Sequence, residues 1–242
     1  MLEFNNKPIF GMIHLSGDNI IKRAITEIDI FYEENLDGCI IENYHGSVLD
    51  VKEVLNLIQI VQSVIPSDKK KLKIGVNILP NEYKSAFEIA NYYNADFIQL
   101  DFVAGKYYNN KEINETDYLS IKNKYPNISV LGGVWPKYYE PIRGSVLSDD
   151  INDGLNRAEA IVVTGLGTGK ETPLDKIKEF KTLCGNKPLI IGAGLNSTNV
   201  KEQLSIADGA IVGSCFKPYG RTTEPISREL VKEFMDEVNK IK

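Results

Sequence analysis

The chain has 242 residues, of which 43% are hydrophobic and 25% are charged, and its net charge is −5. This composition is typical of a globular protein that buries a sizeable core, and it predicts one domain over residues 1–242. Because no Lys/Arg run is longer than Lys69 to Lys71, neither nucleic acid nor insertion into a membrane is expected.

Eight short apolar runs, rich in Ile and Val, predict strands that are buried on both faces. In chain order they are Ile9–Leu15, Gly38–Glu42, Lys73–Leu79, Phe97–Phe102, Ser129–Val134, Ala160–Thr164, Leu189–Gly192 and Ala210–Ser214. Each run is followed by a segment whose apolar residues recur every three or four positions, as in an amphipathic helix. The first two such segments centre on Ile25 and Leu55. The others are predicted over Glu82–Tyr93, Thr116–Lys124, Ser148–Arg157, Leu174–Leu183, Asn199–Leu204 and Ile226–Ile241.

Strict alternation of strands and helices predicts a parallel sheet, and eight units in about 250 residues match the size of a (β/α)8 TIM barrel. An open doubly wound sheet is the competing fold, since periodicity alone does not exclude it. In a barrel, the segments that follow the strands converge on one rim, where active sites form.

The segments after the seventh and eighth strands are rich in small residues. Gly192 and Gly194 follow one strand, and Gly213 and Ser214 follow the other. Glycine lets a backbone approach a ligand closely, and this pair of loops frequently holds phosphate in barrels. We therefore predict phosphate binding at these four residues, although the same glycines also fit simple tight turns.

The sixth segment begins with Thr164, Gly165 and Gly167 and continues to Lys170. It resembles a P-loop, but only three residues separate Gly165 from the Gly169-Lys170 pair, where a P-loop has four. Thr164, Gly165 and Gly167 are predicted to contact substrate in a flexible loop that contacts an anion or forms a lid, with a plain turn as the alternative.

Ionisable side chains follow four of the first five strands. His14, Glu42, Asp101 and Lys137 are predicted catalytic residues, because a barrel brings all four to one rim. A carboxylate or imidazole there can exchange protons, while Lys137 can stabilise an oxyanion or form a Schiff base. Taken singly, each residue also fits a structural role or a helix cap.

Amide and lysine side chains near the same rim are further candidates. Asn43, Asn77 and Lys106 are predicted to bind substrate, and Lys106 lies in a long polar segment, residues 104–115, that suits a lid. His14, Glu42 and Asp101 also leave a divalent metal open, although no local metal motif supports it. No cofactor is predicted.

Cys39, Cys184 and Cys215 form no CxxC pair, so neither a disulfide framework nor a zinc ribbon is expected. With no signal peptide or apolar span in the sequence, we expect a cytoplasmic protein. Self-association into a homo-oligomer stays open.

Six ordered motifs resemble the BtpA/SgcQ family: GMIHL, GVNILPNE, FIQLDFVAGKY, GGVWPKYY, VVTGLGTGK and DGAIVGSCFK. This resemblance covers nearly the whole chain and implies a TIM barrel of the phosphate-binding type. It carries over His14, Asn77, Asp101, Lys137 and the glycines after the last two strands as functional positions. The loop after the first strand is shorter than in the family, and ENYHGSVLD departs from an NxxDxPF-like stretch, so a shared substrate does not follow.

The expected function is that of an enzyme acting on a small phosphorylated metabolite, such as a sugar phosphate or nucleotide-like compound. Isomerase, lyase and glycosyl-transfer chemistry all fit the predicted residues. The family label implies the alternative, a non-catalytic assembly or regulatory factor related to photosystem I biogenesis. A Schiff-base aldolase using Lys137 is a third hypothesis.

Overall fold

The computed structural model describes residues 2–44, 46–108 and 112–242. Eight parallel strands pair in chain order, and β1 also pairs with β8, which closes the barrel. The strands are β1 Ile9–His14, β2 Gly38–Glu42, β3 Lys73–Asn77, β4 Phe97–Leu100, β5 Ser129–Gly133, β6 Ala160–Val163, β7 Leu189–Ile191 and β8 Gly209–Val212. The predicted TIM barrel is confirmed, and the open sheet is wrong.

One helix follows each strand. These are α1 Ile20–Glu33, α2 Val48–Val64, α3 Tyr83–Tyr92, α4 Glu115–Lys124, α5 Leu147–Arg157, α6 Leu174–Cys184, α7 Val200–Leu204 and α8 Arg228–Val238. In the part of the chain that the structure describes, no helix combines the length and the apolar character needed to cross a membrane.

Most predicted strands extend one or two residues too far at their carboxyl ends. The third strand, for example, ends at Asn77 rather than Leu79, and Pro80, which follows, has no N–H for a sheet ladder. The last helix begins at Arg228 rather than Ile226 because Ser227 caps it, its hydroxyl accepting from the backbone N–H of Leu230 at 3.4 Å, and it ends at Val238 rather than Ile241. The residues that follow the carboxyl ends of the strands form the rim of the barrel.

Two apolar clusters fill the molecule. The larger one lies between the strands and the helices, and the smaller one fills the barrel interior. The interior cluster includes Phe10, Met12, Ile40, Phe97, Leu131, Ala160, Val162, Ile190 and Ile211. Because side chains alternate along a strand, every second residue after an interior residue also points inward.

Candidate functional site

A cavity of about 850 Å³ opens at the carboxyl ends of the strands. Its floor includes Met12, Val162 and Ile211 of the interior cluster. His14, Glu42, Asp101 and Lys137, which were predicted from separate segments, all line it. The structure therefore brings these four side chains to one cavity; their catalytic roles stay predictions.

The alternation of the strands explains why these side chains meet. Phe10 and Met12 face the interior, so His14, two residues further, faces the cavity above them. By the same rule Glu42, two residues after the interior Ile40, faces the cavity. The sequence thus places an apolar floor beneath a layer of polar side chains.

Glu42 is the most enclosed carboxylate of this layer, with 7% of its surface exposed. The Asn77 side-chain amide donates to Glu42 Oε2 at 2.6 Å and to Gln99 Oε1 at 2.8 Å. His14 Nε2 lies 3.8 Å from Glu42 Oε1. Asn77 therefore positions Glu42 and Gln99 rather than lining the cavity itself.

Burial raises the pKa of Glu42 to about 7, and the charge of Asp101 acts in the same direction. Lys137, the Asn77 hydrogen bond and Lys217 oppose this rise. A carboxyl group with this pKa exchanges its proton near neutral pH, which suits a general acid or base.

Asp101 lies in a different environment, although burial raises its pKa as well. The Tyr139 hydroxyl donates to Asp101 Oδ2 at 2.8 Å, and both this bond and the charge of Lys137 favour the ionised carboxylate. The two carboxyl groups therefore differ in their partners, because a hydroxyl donor and a nearby ammonium group favour the charged form of Asp101, whereas the neighbouring Asp101 charge disfavours that of Glu42.

Gly133, which lines the cavity, and Asn81, which lies outside it, hold Asp101 in place. A Cβ atom at Gly133 would lie 1.9 Å from the Asp101 carbonyl oxygen, so only glycine permits this approach. Asn81 Nδ2 donates to the Phe102 carbonyl at 3.1 Å, and its Oδ1 accepts from the Phe102 N–H at 3.1 Å. Asn81 thus pairs with both backbone groups of the residue after Asp101.

Asn81→Gly is expected to lower the free energy of unfolding by about 2 to 3 kcal/mol, because it leaves the buried backbone groups of Phe102 without partners. Asn81→Ala is expected to cost about 1 kcal/mol more, because residue 81 has a φ of 69°. Urea denaturation measures both variants. Equal stability of wild type and Asn81→Gly would contradict this role.

The loop after β5 presents Lys137 to the cavity through a backbone with positive φ angles at Trp135 and Tyr138. The Trp135 indole donates to Asp150 Oδ2 at 2.7 Å, and the Lys137 N–H donates to Thr164 Oγ1 at 2.6 Å. Lys137 Nζ itself donates to the Thr168 hydroxyl at 3.1 Å. The loop is fixed at both ends, so the ammonium group is held at the cavity wall.

Gly192, Gly194, Gly213 and Ser214, the predicted phosphate residues, line another part of the cavity wall. Gly194 has a φ of 73°, and a Cβ there would lie 2.1 Å from the Lys170 carbonyl oxygen. Within the described residues, the backbone N–H groups of Gly194 and Ser214 donate to no protein acceptor. This wall offers small residues and free amide donors, which an anion requires.

Several predicted substrate contacts lie elsewhere. Asn43 follows Glu42 and so points away from the interior, where its Oδ1 accepts from the Leu79 N–H at 2.8 Å. Gly165 lies beneath Glu171 and Gly167 beside the Tyr138 hydroxyl, and neither lines the cavity. Thr164 lines it.

The lid prediction is tested only in part, because residues 109–111 of that segment lie outside the described residues. Lys106 is exposed, does not line the cavity and has Nζ 3.4 Å from Glu112 Oε1. Lys106 therefore pairs with the lid segment itself, and contact with substrate stays a prediction.

Four other groups at the cavity were not predicted from the sequence: Gln99, Arg221, Thr222 and Thr223. The alternation along β4 identifies Gln99, since it lies two residues after the interior Phe97. No comparable signal marks Arg221, because it lies on a loop whose path depends on tertiary contacts. Among residues 2–44, 46–108 and 112–242, no three His, Cys, Asp or Glu side chains group in a way that holds a metal ion.

Residues 5–240 match the model of the BtpA family. An uncharacterized protein of Methanocaldococcus jannaschii is 31% identical over 259 residues, covering 99% of this chain and 98% of the relative. The photosystem I biogenesis protein BtpA of Synechocystis is 25% identical, covering 96% of this chain and 88% of the relative.

Solved structures with similar architecture include N-(5'-phosphoribosyl)anthranilate isomerase from Pyrococcus furiosus, with a TM-score of 0.62 and 14% identity. That match covers 97% of this chain and all of the isomerase chain (100%). Tryptophan synthase from M. tuberculosis gives a TM-score of 0.67 at 10% identity, covering 97% of this chain and 94% of the other. At these identities the likeness concerns the fold alone.

Proposed function

The chain belongs to the BtpA family, and we propose that it is an enzyme that moves a proton on a small phosphorylated metabolite. The proposal rests on one observation: two carboxylates in different environments face a wall of small residues across one cavity. One wall supplies acid and base groups, and the other supplies an anchor for phosphate. A sugar phosphate or a nucleotide-like compound has both parts.

In the proposed reaction, the Asp101 carboxylate accepts a proton from the substrate and the Glu42 carboxyl group donates one. Tyr139 and Lys137 favour the ionised form of Asp101 against the effect of burial, whereas burial and the charge of Asp101 favour the protonated form of Glu42. His14 and the Lys137 ammonium group lie at the same cavity and would stabilise negative charge that develops on the substrate. Isomerisation, elimination and glycosyl transfer all use such a pair.

The anchor is proposed at Gly192, Gly194, Gly213 and Ser214, where small residues line the cavity and the free N–H groups of Gly194 and Ser214 suit a phosphate. The loops after β7 and β8 often hold phosphate in TIM barrels. One solved structure of the same fold is named for a phosphoribosyl substrate, which is consistent with this choice. The role of the four residues does not follow from that likeness.

Thermal unfolding with a panel of sugar phosphates tests the anchor. A bound compound at 100 times its Kd is expected to add about 2.7 kcal/mol to the free energy of unfolding. Ribose 5-phosphate is compared with ribose, and each other phosphate with its free sugar. Stabilisation by the free sugars alone, or by none of the compounds, contradicts the phosphate anchor.

A second candidate is a non-catalytic assembly factor, which the name of the Synechocystis relative favours. The exposed apolar residues Ile60, Val61 and Val64 on α2 offer a surface for a partner. Loss of binding to the partner in α2 variants, with no phosphorylated ligand found, would favour this function. Retained turnover in the same variants would favour the enzyme.

A Schiff-base mechanism at Lys137 is tested by trapping its covalent intermediate. The amine would have to form a covalent imine with a carbonyl substrate, which borohydride reduces to a stable secondary amine. Mass spectrometry after borohydride treatment detects this adduct on Lys137. Absence of the adduct during turnover excludes the mechanism and leaves Lys137 as an electrostatic group.

A further inference from the structure

The loop from Lys217 to Ile226, here called the β8 loop, forms part of the cavity mouth. Arg221, in this loop, lines the cavity, and its side chain is exposed. Among the described residues, its guanidinium has no carboxylate partner and lies 5.6 Å from the Tyr219 ring. An unpaired cation therefore lies on the same side of the mouth as Gly213 and Ser214, from which the loop continues.

Two cationic side chains, Lys217 at the start of the β8 loop and Arg23 on α1, hold three consecutive carbonyl groups of the loop. Lys217 Nζ donates to the Thr222 carbonyl at 2.7 Å, and Arg23 donates to the Thr223 carbonyl at 2.8 Å and to that of Glu224. Hydrogen bonds from charged donors are stronger than neutral ones. The backbone that follows Arg221 is therefore fixed before any ligand arrives.

Glu27 completes this support. Its Oε1 accepts from Arg23 Nε at 2.8 Å and from the Ile226 N–H at 3.1 Å. Lys217 is only 1% exposed, and burial lowers its pKa to about 8. Burying these ionisable groups carries a desolvation cost, which their hydrogen bonds to the loop offset.

The turn before Arg221 contains one strained residue, Tyr219. Tyr219 has a φ of 56° and Gly220 a φ of 67°. The Tyr219 side chain is 91% exposed, so its own packing does not offset the unfavourable backbone. The turn directs the chain back to the mouth and brings Arg221 to the cavity, and such strain is typical of functional sites.

We infer that Arg221 binds the phosphate of the substrate as a monoester dianion, and that Lys217 and Arg23 position it through the β8 loop. This inference rests on the proposed function, because it assigns a further ligand to the same phosphate. A guanidinium group offers two parallel N–H donors to phosphate oxygens. The wall of Gly192, Gly194 and Gly213 supplies backbone amides. Arg221 supplies the positive charge that a phosphate group requires and an unphosphorylated sugar does not.

Isothermal titration with inorganic phosphate and with ribose 5-phosphate tests the inference. Arg221→Ala is expected to weaken both about 10- to 100-fold, and Arg221→Lys to restore part of the loss. Arg143→Ala is the matched control, because Arg143 is exposed near the β5 end and does not line the cavity. Equal affinity of Arg221→Ala and wild type overturns the inference, whereas failure of wild type to bind either probe overturns the proposed function.

A double-mutant cycle tests the positioning role of Lys217. Lys217→Met is expected to weaken phosphate binding in wild type but to add little to Arg221→Ala, because it acts through that residue. Additive effects would contradict this role. Should Lys217→Met fail to fold, Lys217→Arg serves instead, and the Arg221 variants alone still decide the assignment.

Discussion

Replacing Glu42 with glutamine is expected to reduce turnover about 10²- to 10⁴-fold, the usual contribution of a general acid. Glutamine keeps the size of the side chain and still accepts the Asn77 hydrogen bond, which measures 2.6 Å in the native protein. Its amide group has no acidic proton to donate to the substrate. The loss therefore measures proton transfer rather than the geometry of the site.

The pH dependence follows from the pKa of about 7. If Glu42 donates a proton, kcat/KM falls as pH rises through about 7, and Glu42→Gln lacks this inflection. Measuring kcat/KM from pH 5 to 9, with the substrate identified by thermal shift, checks this profile. A fall in rate below pH 7 instead would assign Glu42 as the base.

The same substitution is expected to stabilise the fold at alkaline pH. Because the folded pKa exceeds the unfolded value, the folded state binds more protons between about pH 4.5 and 7, and stability falls as pH rises through that range. A shift of this size corresponds to about 3 kcal/mol as an upper figure. Glu42→Gln removes that cost at pH 8. Urea denaturation at pH 5 and pH 8 measures it, with the exposed Glu88→Gln as control.

Gly133→Ala is expected to lower the free energy of unfolding by about 3 kcal/mol or more, and to reduce turnover by displacing Asp101. The added methyl group would lie 1.9 Å from the Asp101 carbonyl oxygen, and a backbone atom does not move aside as a flexible side chain does. The variant therefore tests whether the position of Asp101 matters to the reaction.

Gly144→Ala is the control for this substitution. Nothing lies within 4 Å of its Cβ position, so only its φ of 91° opposes alanine, at about 1 kcal/mol. Thermal and urea denaturation compare the two variants. If Gly133→Ala is no less stable than Gly144→Ala, the close approach of Asp101 does not constrain residue 133.

Much of the site follows from local sequence pattern. The apolar runs of β1 and β2 alternate inward and outward, and this alternation places His14 above Met12 and Glu42 above Ile40. The same rule identifies Gln99 and explains why Asn43 points away from the cavity. A two-residue period is a property of the extended backbone itself, so it is readable without tertiary information.

Tertiary structure alone decided how these groups work together. Asn77 bonds both Glu42 and Gln99 because β2, β3 and β4 are neighbours in the sheet, and Tyr139 reaches Asp101 across 38 residues of chain. Arg221 lies at the mouth on a loop whose next three carbonyl groups accept from Lys217 and Arg23, residues far apart in the chain. The sequence by itself therefore determined which strand residues face inward, through a local period. Closure of the barrel decided which of them meet, because pairing, burial and the pKa values depend on residues far apart in the chain.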